Sequence, residues 1–495
     1  MSLSALAAEI TKHAKILDSY IAVNNLPRPS FEVDGPLEFP ICPTIHRDEA
    51  HNQAQASRTA LLDACQSLHD LTAGPAAAVA WPALTRPYEL LMLKTLHRFS
   101  IPQAVPLEGG ATIAEISRQS GLDEDILSRI IKYACSYRIF YEEAGDTGAV
   151  IIRHTAASHA LLRHRGLRDT LSVCLDERFL TASSMAISPP LQRQPGHSGC
   201  ILQVGMTELS MIEDTTNLYT IEGGSSDRNN SLYLSAFNRA FQSDDNYLDY
   251  LHRPENSSLR SAVGGFLGYV MASTNMGVRD HNMDMLASGA VDWESMGEAL
   301  VVDVGGGYGH ASISIARKYP KLRFIIQDLP AVIAQGARFI SSAAASEGEG
   351  VGDFTSRISF MAHDMFAPQP QHMLNTDVFM FRFVLHDWPD ESVVKILRNL
   401  IPAMRAKPGC RVIVMDYILP ETGTELRVVE KMERTMDLSV YAINSGKERS
   451  YQDWQNLVGR VNGRLRMARV YKEPYSAFGI IELELVISED INAGI

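Results

Sequence analysis

Val301-Val-Asp-Val-Gly-Gly-Gly-Tyr-Gly309 decides the fold of this chain. A short apolar run with strand character enters a glycine cluster, and a helical pattern follows at 309–318. Glycine permits a tight turn and lets a ligand approach the backbone. Three glycines in a row are costly to order, so an ordinary strand-to-helix turn does not account for them. The dinucleotide fingerprint needs glycine at its first, third and sixth positions. Counted from Gly305 the sixth position is His310, which speaks against a nicotinamide or flavin dinucleotide and so against a dehydrogenase. A second strand closes on Gln327-Asp328, 23 positions after Gly305, where a carboxylate can meet ribose hydroxyls. A glycine loop with a ribose acid and no phosphate-binding lysine suits a nucleoside without phosphates.

Outward from this loop, short apolar runs alternate with helical patterns from about residue 298. Strands are expected at 299–304, 323–327, 358–362, 378–382, 411–416, 466–471 and 480–487. Helices are expected at 309–318, 330–343, 391–404, 426–442 and 450–462. This alternation predicts an α/β domain with a doubly wound, mostly parallel sheet and a ligand at the carboxyl ends of its strands.

The N-terminal half reads differently. Leu3, Leu6, Ile10, Leu17 and Ile21 recur at near-helical spacing. Glu9, Lys12 and Lys15 interrupt them, so the segment is an amphipathic helix and no signal peptide. Five prolines in 27–43 predict an extended arm. A helix at 47–73 is expected to bury Ala60, Leu61, Leu62, Cys65, Leu68 and Leu71. Between 86 and 154 the order is helix, a capped helix opened by Thr112-Ile-Ala-Glu115, a second helix from Asp123, then a hairpin (138–142 and 149–153), which is the winged-helix order. The second helix opens on Asp123-Glu-Asp125, the wrong charge for phosphates. The predicted organisation is an arm (1–85), a winged-helix dimerisation domain (86–185), an insertion (186–230), connecting helices lining a substrate pocket (231–297) and the catalytic domain (298–495). The methionines at 271, 276, 283 and 285 read as core or as an adaptable apolar wall for a flat substrate.

Composition agrees with that organisation. The 495 residues are 45% hydrophobic and 21% charged, ordinary for a globular chain. Net charge is −13, which on average repels nucleic acid. No apolar run reaches membrane-spanning length. The six cysteines form no CxxC pair, so neither a zinc site nor a disulfide framework is expected, and no metal is expected; a cytoplasmic setting fits.

Five motifs occur in order: Asp303-Val-Gly-Gly-Gly-Tyr-Gly309, Gln327-Asp-Leu-Pro330, His363-Asp-Met-Phe366, Leu385-His-Asp-Trp388 and Gly446-Lys-Glu-Arg449. Together they resemble the plant- and fungal-type S-adenosylmethionine-dependent O-methyltransferases of small molecules, over about residues 86–487. The resemblance implies a Rossmann-like methyltransferase domain behind an N-terminal, mainly α-helical winged-helix dimerisation domain, in a homodimer. It implies S-adenosylmethionine as cofactor and S-adenosylhomocysteine as its product. Asp303, Gly305, Gly307, Asp328, Leu329, Asp364, Met365 and Arg382 would line that cofactor, with Arg382 where the family often has lysine.

His386 follows the strand ending near Arg382, on the functional rim of the sheet. A neutral imidazole there can accept a hydroxyl proton while the oxygen attacks the sulfonium methyl. The family pattern gives its second ring nitrogen two acids, here Asp416 and Glu448, although position 416 usually carries glutamate. Asp387 reads as structural, bonding backbone amides, and Trp388 as packing and capping the next helix. The expected reaction is methylation of a phenolic or enolic hydroxyl of an aromatic or polyketide-like metabolite. Two alternatives stand beside it. One is a pericyclase, or another non-methylating enzyme that binds the same cofactor on the same scaffold. The other is a winged-helix regulator, against which the acidic helix counts.

Overall fold

The structure is a computed structural model and describes residues 1–41, 49–145, 148–186, 235–272, 285–346, 354–472, 476 and 478–486. Helix α1 (Leu3–Val23) buries Leu6, Leu17 and Ile21. It packs along α2 (Glu49–Ala73). The stripe expected to be buried on α2 is the wrong one. Leu62 and Leu71 are exposed, and the buried face carries His51, Ala54, Gln55, Ser57, Thr59 and Ala64. Small and polar side chains let α2 sit close to α1, which leaves Leu62 and Leu71 facing outward and Leu61 and Leu68 half-buried. The proline-rich arm lies on the next domain: Phe31 carbonyl accepts from the Ala156 N–H and Val33 carbonyl from His159 Nδ1.

Helix α3 (Pro75–Arg98) then runs without a break across residue 86 and is followed by α4 (Ile101–Ala104). Helix α5 (Ile113–Ser120) opens on the Thr112–Glu115 capping box and closes on Gly121. Helix α6 (Glu124–Ser136) is capped by Asp123 and buries Leu127, Ile131 and Ala134, while Ile126 is exposed. Strands β1 (Phe140–Ala144) and β2 (Val150–His154) pair as an antiparallel hairpin. These elements share a small core around Leu96, Ile116, Leu127 and Ile152.

Helices α7 (Ala156–Arg163) and α8 (Arg165–Ser172) lead into a π-helical turn, Val173–Arg178, and α9 (Phe179–Ala186). Almost all of the expected insertion lies outside the described residues. Helices α10 (Ala236–Phe241), α11 (Tyr247–His252) and α12 (Ser257–Ala272) follow. The side chains of the methionines at 271, 276 and 283 lie outside the described set, whereas Met285 is buried in the core of the next domain.

That domain comprises β3 (Leu300–Val304), α13 (His310–Lys318), β4 (Arg323–Asp328), α14 (Pro330–Ser346), β5 (Ile358–Ala362), β6 (Val378–Arg382), α15 (Asp390–Arg398), α16 (Ile401–Ala406), β7 (Arg411–Leu419), α17 (Arg427–Asn444), β8 (Arg449–Ser450), α18 (Tyr451–Val461), β9 (Leu465–Lys472) and β10 (Phe478–Leu485). The sheet order is β5-β4-β3-β6-β7-β10-β9, with β8 added to β7. Strands β3 to β8 pair in parallel; β10 is antiparallel to both β7 and β9. The single helix expected at 391–404 is two, because Pro402 cannot donate into a continuing helix and instead sits in the first turn of α16. Alternate strand residues feed two cores, as a sheet covered on both faces requires. Val302, Phe379 and Val412 face one layer, and Val301, Met380 and Ile413 the other. The strand order reverses between β3 and β6, which opens a crevice at their carboxyl ends.

Candidate active site at the strand ends

The residues singled out from the sequence gather around the carboxyl ends of the parallel strands. Gly305 and Gly307 have φ of 70° and 58°, in the left-handed region. A Cβ on Gly305 would sit 2.8 Å from Val384, whereas one on Gly307 would meet nothing within 4 Å. The backbone at Gly307 is therefore open to a ligand. Its N–H donates to Asp328 Oδ2 at 2.9 Å, and the Leu329 N–H donates to Oδ1 at 2.7 Å. The His363 N–H donates to the Asp328 carbonyl at 3.0 Å and ties the ends of β4 and β5 together. Asp364 is exposed, with Oδ1 accepting from the Phe366 N–H at 2.9 Å, and Met365 packs on the core.

Asp303 is buried inside β3. Its Oδ2 accepts from the Ser312 hydroxyl at 2.7 Å, and its Oδ1 has no partner. Burial pushes this carboxyl up to about 6, against the pull of Ser312 and of Arg382. Arg382 ends β6, with its guanidinium 5.3 Å from the Phe383 ring centroid. These residues fit a nucleoside without phosphates. The Asp328 oxygens each keep a lone pair beyond the amide they accept, Gly307 is open, and Asp303 Oδ1 is an unsatisfied acceptor.

His386 lies in a 3₁₀ turn, Leu385–Asp387, just past β6. Its Nδ1 is 2.7 Å from Glu448 Oε1, and Glu448 is 1% exposed. A carboxylate on Nδ1–H leaves the lone pair of the neutral ring on Nε2. On that side the nearest carboxylate oxygen, Asp387 Oδ1, is 3.9 Å away, beyond hydrogen-bonding reach. Burial disfavours the charged ring, but Glu448, Asp387 and Asp416 outweigh it and hold the imidazole up at about 10.

Asp416, expected to share the orienting role, does not bond the imidazole. Neither of its oxygens has a hydrogen-bond partner, and it is 1% exposed. One methylene fewer than glutamate leaves its carboxyl short of the ring, so it acts on His386 through its field alone. Burial raises it to about 7, with His386 pulling it down and Glu448 adding to the rise. Asp387 also differs from expectation: its Oδ1 accepts from the Asn444 side-chain amide at 2.9 Å and from no backbone amide. Trp388 packs edge-on to Phe366, at 4.7 Å between centroids, while Pro389 is the cap residue of α15.

The segment Gly446–Arg449 holds the 385–390 segment from behind. The Lys447 N–H donates to the His386 carbonyl at 2.8 Å. A Cβ on Gly446 would sit 2.3 Å from that same oxygen, so only glycine fits. Buried Arg449 donates to the carbonyls of Leu385 (3.0 Å), Trp388 (2.8 Å) and Lys447 (3.1 Å) and to Asp390 (2.9 Å). The sequence alone assigns Arg449 no role. Four acceptors around one fixed guanidinium explain it as the clasp of the His386 turn. Phe383 takes φ of 54°, rare for a bulky residue. Its half-buried ring lies 6.0 Å from the imidazole and 4.5 Å from Phe478.

A second buried network was not legible at all. Tyr247 Oη lies 3.0 and 2.9 Å from the two Glu177 oxygens, and Arg178 donates to Ser439 Oγ at 3.2 Å. Glu177 and Arg178 belong to the π-helical turn, a geometry with no sequence signature, though such turns are frequent at functional sites. Among the described residues no helix is long and apolar enough to cross a membrane, and no cluster could hold a metal ion.

Comparison with known proteins bears on this site. Residues 277–462 match the model of the O-methyltransferase domain. The chain is 30% identical over 484 residues to the grayanic acid biosynthesis cluster O-methyltransferase of Cladonia grayi, covering 97% of this chain and 87% of that protein. It is 30% identical over 485 residues to the O-methyltransferase pgmB of Aspergillus terreus, covering 98% and 96%. Among solved structures, OxaC in complex with sinefungin and meleagrin superposes with a TM-score of 0.61 at 23% identity, over 97% of this chain and 99% of that one. LepI in complex with S-adenosylmethionine superposes with a TM-score of 0.55 at 18% identity, over 87% and 94%.

Proposed function

Because this chain belongs to the S-adenosylmethionine-dependent O-methyltransferase family, with fungal secondary-metabolite enzymes as relatives, we propose that it methylates a phenolic or enolic hydroxyl of an aromatic or polyketide-like metabolite, with His386 as the general base. The observation that carries this reading is the 2.7 Å contact between His386 Nδ1 and Glu448. It sets the tautomer, and Nε2 is then the atom that receives the hydroxyl proton. A phenol has a pKa of about 10. The imidazole is held at about 10. The two proton affinities are matched, and because a ring held this high is charged at neutral pH, the neutral form that acts as base gains population as pH rises.

When bound, S-adenosylmethionine supplies an electrophilic methyl on a cationic sulfur. Gly307 and Asp328 would hold its nucleoside end, with Asp303, Gly305, Leu329, Asp364, Met365 and Arg382 around them. What remains for the chain is alignment, which is worth several orders of magnitude in rate. The half-exposed Phe383 ring beside His386 offers a flat apolar face to an aromatic substrate. The name of one relative refers to a grayanic acid cluster, and one neighbour was solved with meleagrin, which supports a small organic acceptor.

The protein works as a homodimer in this reading. Helix α3 exposes Val79, Trp81, Leu84, Tyr88 and Leu91, a face that a second copy would cover. The intact His386–Glu448 pair favours methyl transfer over the chemistry of a pericyclic reaction enzyme that shares this fold. The test is His386→Ala in the full chain. Loss of methyl transfer with retained S-adenosylhomocysteine binding supports the base. Full activity, or turnover of the native substrate without stoichiometric S-adenosylhomocysteine release by the wild type, refutes the reading.

A further inference from the structure

We propose that Asp437 is a positioning residue for His386, acting through the main chain of Glu448. The inference rests on His386 being the base. Asp437 Oδ1 accepts from the Glu448 N–H at 3.0 Å. Glu448 reaches the imidazole with the short lever of one buried side chain, so a shift of its backbone is carried into the 2.7 Å contact on Nδ1. The chain neighbours of Glu448 hold a different segment: the Lys447 N–H bonds the His386 carbonyl, and the Arg449 guanidinium bonds Leu385, Trp388 and Asp390.

The source of the bond matters. Asp437 is on α17, not on the loop it holds. Further along the same helix, Asn444 holds Asp387, the carboxylate on the Nε2 side, at 2.9 Å. One helix thus sets the acids on both sides of the ring. The helix ends immediately afterwards on Ser445, at φ of 54°, so the chain turns back to deliver Glu448. Helix α17 is itself tied to the N-terminal half of the molecule. Arg178 bonds Ser439, which lies close to Asp437 on the helix, and Asp63 of α2 accepts from the Val428 N–H at 3.2 Å. These two bonds tie the helix that carries Asp437 to the helical half.

What Asp437 contributes is an acceptor atom, not a charge. Burial and then the nearby Glu448 carboxylate raise its pKa, while the bond from the Glu448 N–H works the other way. Asparagine retains a carbonyl oxygen at the same place. The expected result is that Asp437→Ala lowers kcat by about 10- to 100-fold, the scale of a misplaced reacting group. The KM for S-adenosylmethionine stays unchanged, and Asp437→Asn keeps the wild-type kcat.

A second readout is independent of turnover. In protein with ¹⁵N-labelled histidine, the downfield proton on Nδ1 of His386, assigned by its loss in His386→Ala, is present in wild type and Asp437→Asn and lost or displaced in Asp437→Ala. If the alanine variant does not fold, Asp437→Ser, whose hydroxyl is too short to reach, takes its place. Wild-type kcat and an unchanged resonance in a folded alanine or serine variant overturn the proposal, as does equal impairment of the asparagine variant. If His386→Ala remains active, the base reading fails. The resonance then still decides whether Asp437 holds Glu448 against the ring.

Discussion

His386 Nδ1 and Glu448 Oε1 lie 2.7 Å apart, and the two residues are 62 positions apart in the chain. The contact joins the end of β6 to the loop after α17 and does two separable things. It fixes the tautomer, and it places a negative charge beside the ring. Glu448→Gln keeps an oxygen for Nδ1–H and removes the charge; Glu448→Ala removes both. We expect kcat to fall in both variants, further in alanine, by up to about 10²–10⁴-fold, as when a triad loses the group orienting its histidine. S-adenosylhomocysteine binding, measured by calorimetry, should be unchanged, because Glu448 does not touch the glycine loop. Equal kcat in wild type and alanine variant would exclude an orienting role.

The charge component shows itself in the pH profile. His386 is raised from 6.5 to about 10 because the carboxylates of Glu448, Asp387 and Asp416 overcome the cost of burial. The free enzyme then holds the base protonated at neutral pH, and the active fraction grows as pH rises. We expect kcat/KM to increase from about pH 6.5 through about 10 and to level off only above that, since it reports the free enzyme. Glu448→Gln removes an anion from the ring, lowers the imidazole pKa, and should move the rise to lower pH. A wild-type plateau already reached at neutral pH would show an ordinary imidazole instead.

The glycine loop and the strand ends were legible because their signals are local. Three glycines, an acid 23 positions on and alternating apolar runs need no tertiary information to read. His386 and Glu448 were legible through their motifs. What could not be read is what depends on contact across the fold. Arg449 looks like one more charged loop residue until its four acceptors are assembled around it. Asp416 could be placed near the base, but only geometry shows that aspartate leaves it unbonded. On α2 the apolar periodicity was real but its stripe is only partly covered, since periodicity says that a face exists and not which neighbour it meets.

Asp416 gives a stability prediction of definite sign. Its folded pKa is raised from 3.8 to about 7. Ionising it therefore costs more in the folded state than in the unfolded one. The folded protein binds the extra proton between these values, so this group reduces stability as pH climbs from about 4 through about 7. Asp416→Asn removes that loss. The variant should melt higher than wild type at about pH 8, with a smaller or vanishing difference at about pH 5, in paired thermal scans. A variant that melts lower at the higher pH would mean that attraction to charged His386 exceeds the burial cost.

Gly446 tests the clasp behind the base. A Cβ at this position would lie 2.3 Å from the His386 carbonyl oxygen and 2.9 Å from the Asp387 carbonyl carbon, both rigid backbone atoms. Gly446→Ala must therefore push the His386 turn or the Glu448 loop away, weakening the bond from Lys447 N–H. Turnover should fall by about 100-fold, the cost of an ångström-scale misplacement. Cofactor affinity should survive, because the glycine loop lies on the neighbouring strand. Unchanged turnover would show that the loop relaxes without moving the imidazole.

Asp328 separates binding from chemistry. Its carboxylate accepts the N–H groups of Gly307 and Leu329 and faces the open backbone of Gly307. Asp328→Ala leaves both amides without their acceptor and removes the oxygens proposed for the ribose hydroxyls. Hydrogen bonds to a charged group are worth about 1.5–3 kcal/mol each. Two of them lost to the ligand correspond to at least about a 100-fold rise in the Kd of S-adenosylhomocysteine, at about 1.4 kcal/mol per factor of ten. Asp328→Asn retains one acceptor and should fall between. In turnover the effect should appear in the KM for S-adenosylmethionine, with kcat largely kept at saturation, the signature of lost uniform binding. The opposite split, a collapsed kcat with unchanged KM, would move Asp328 out of the binding set and into the alignment of the reacting groups.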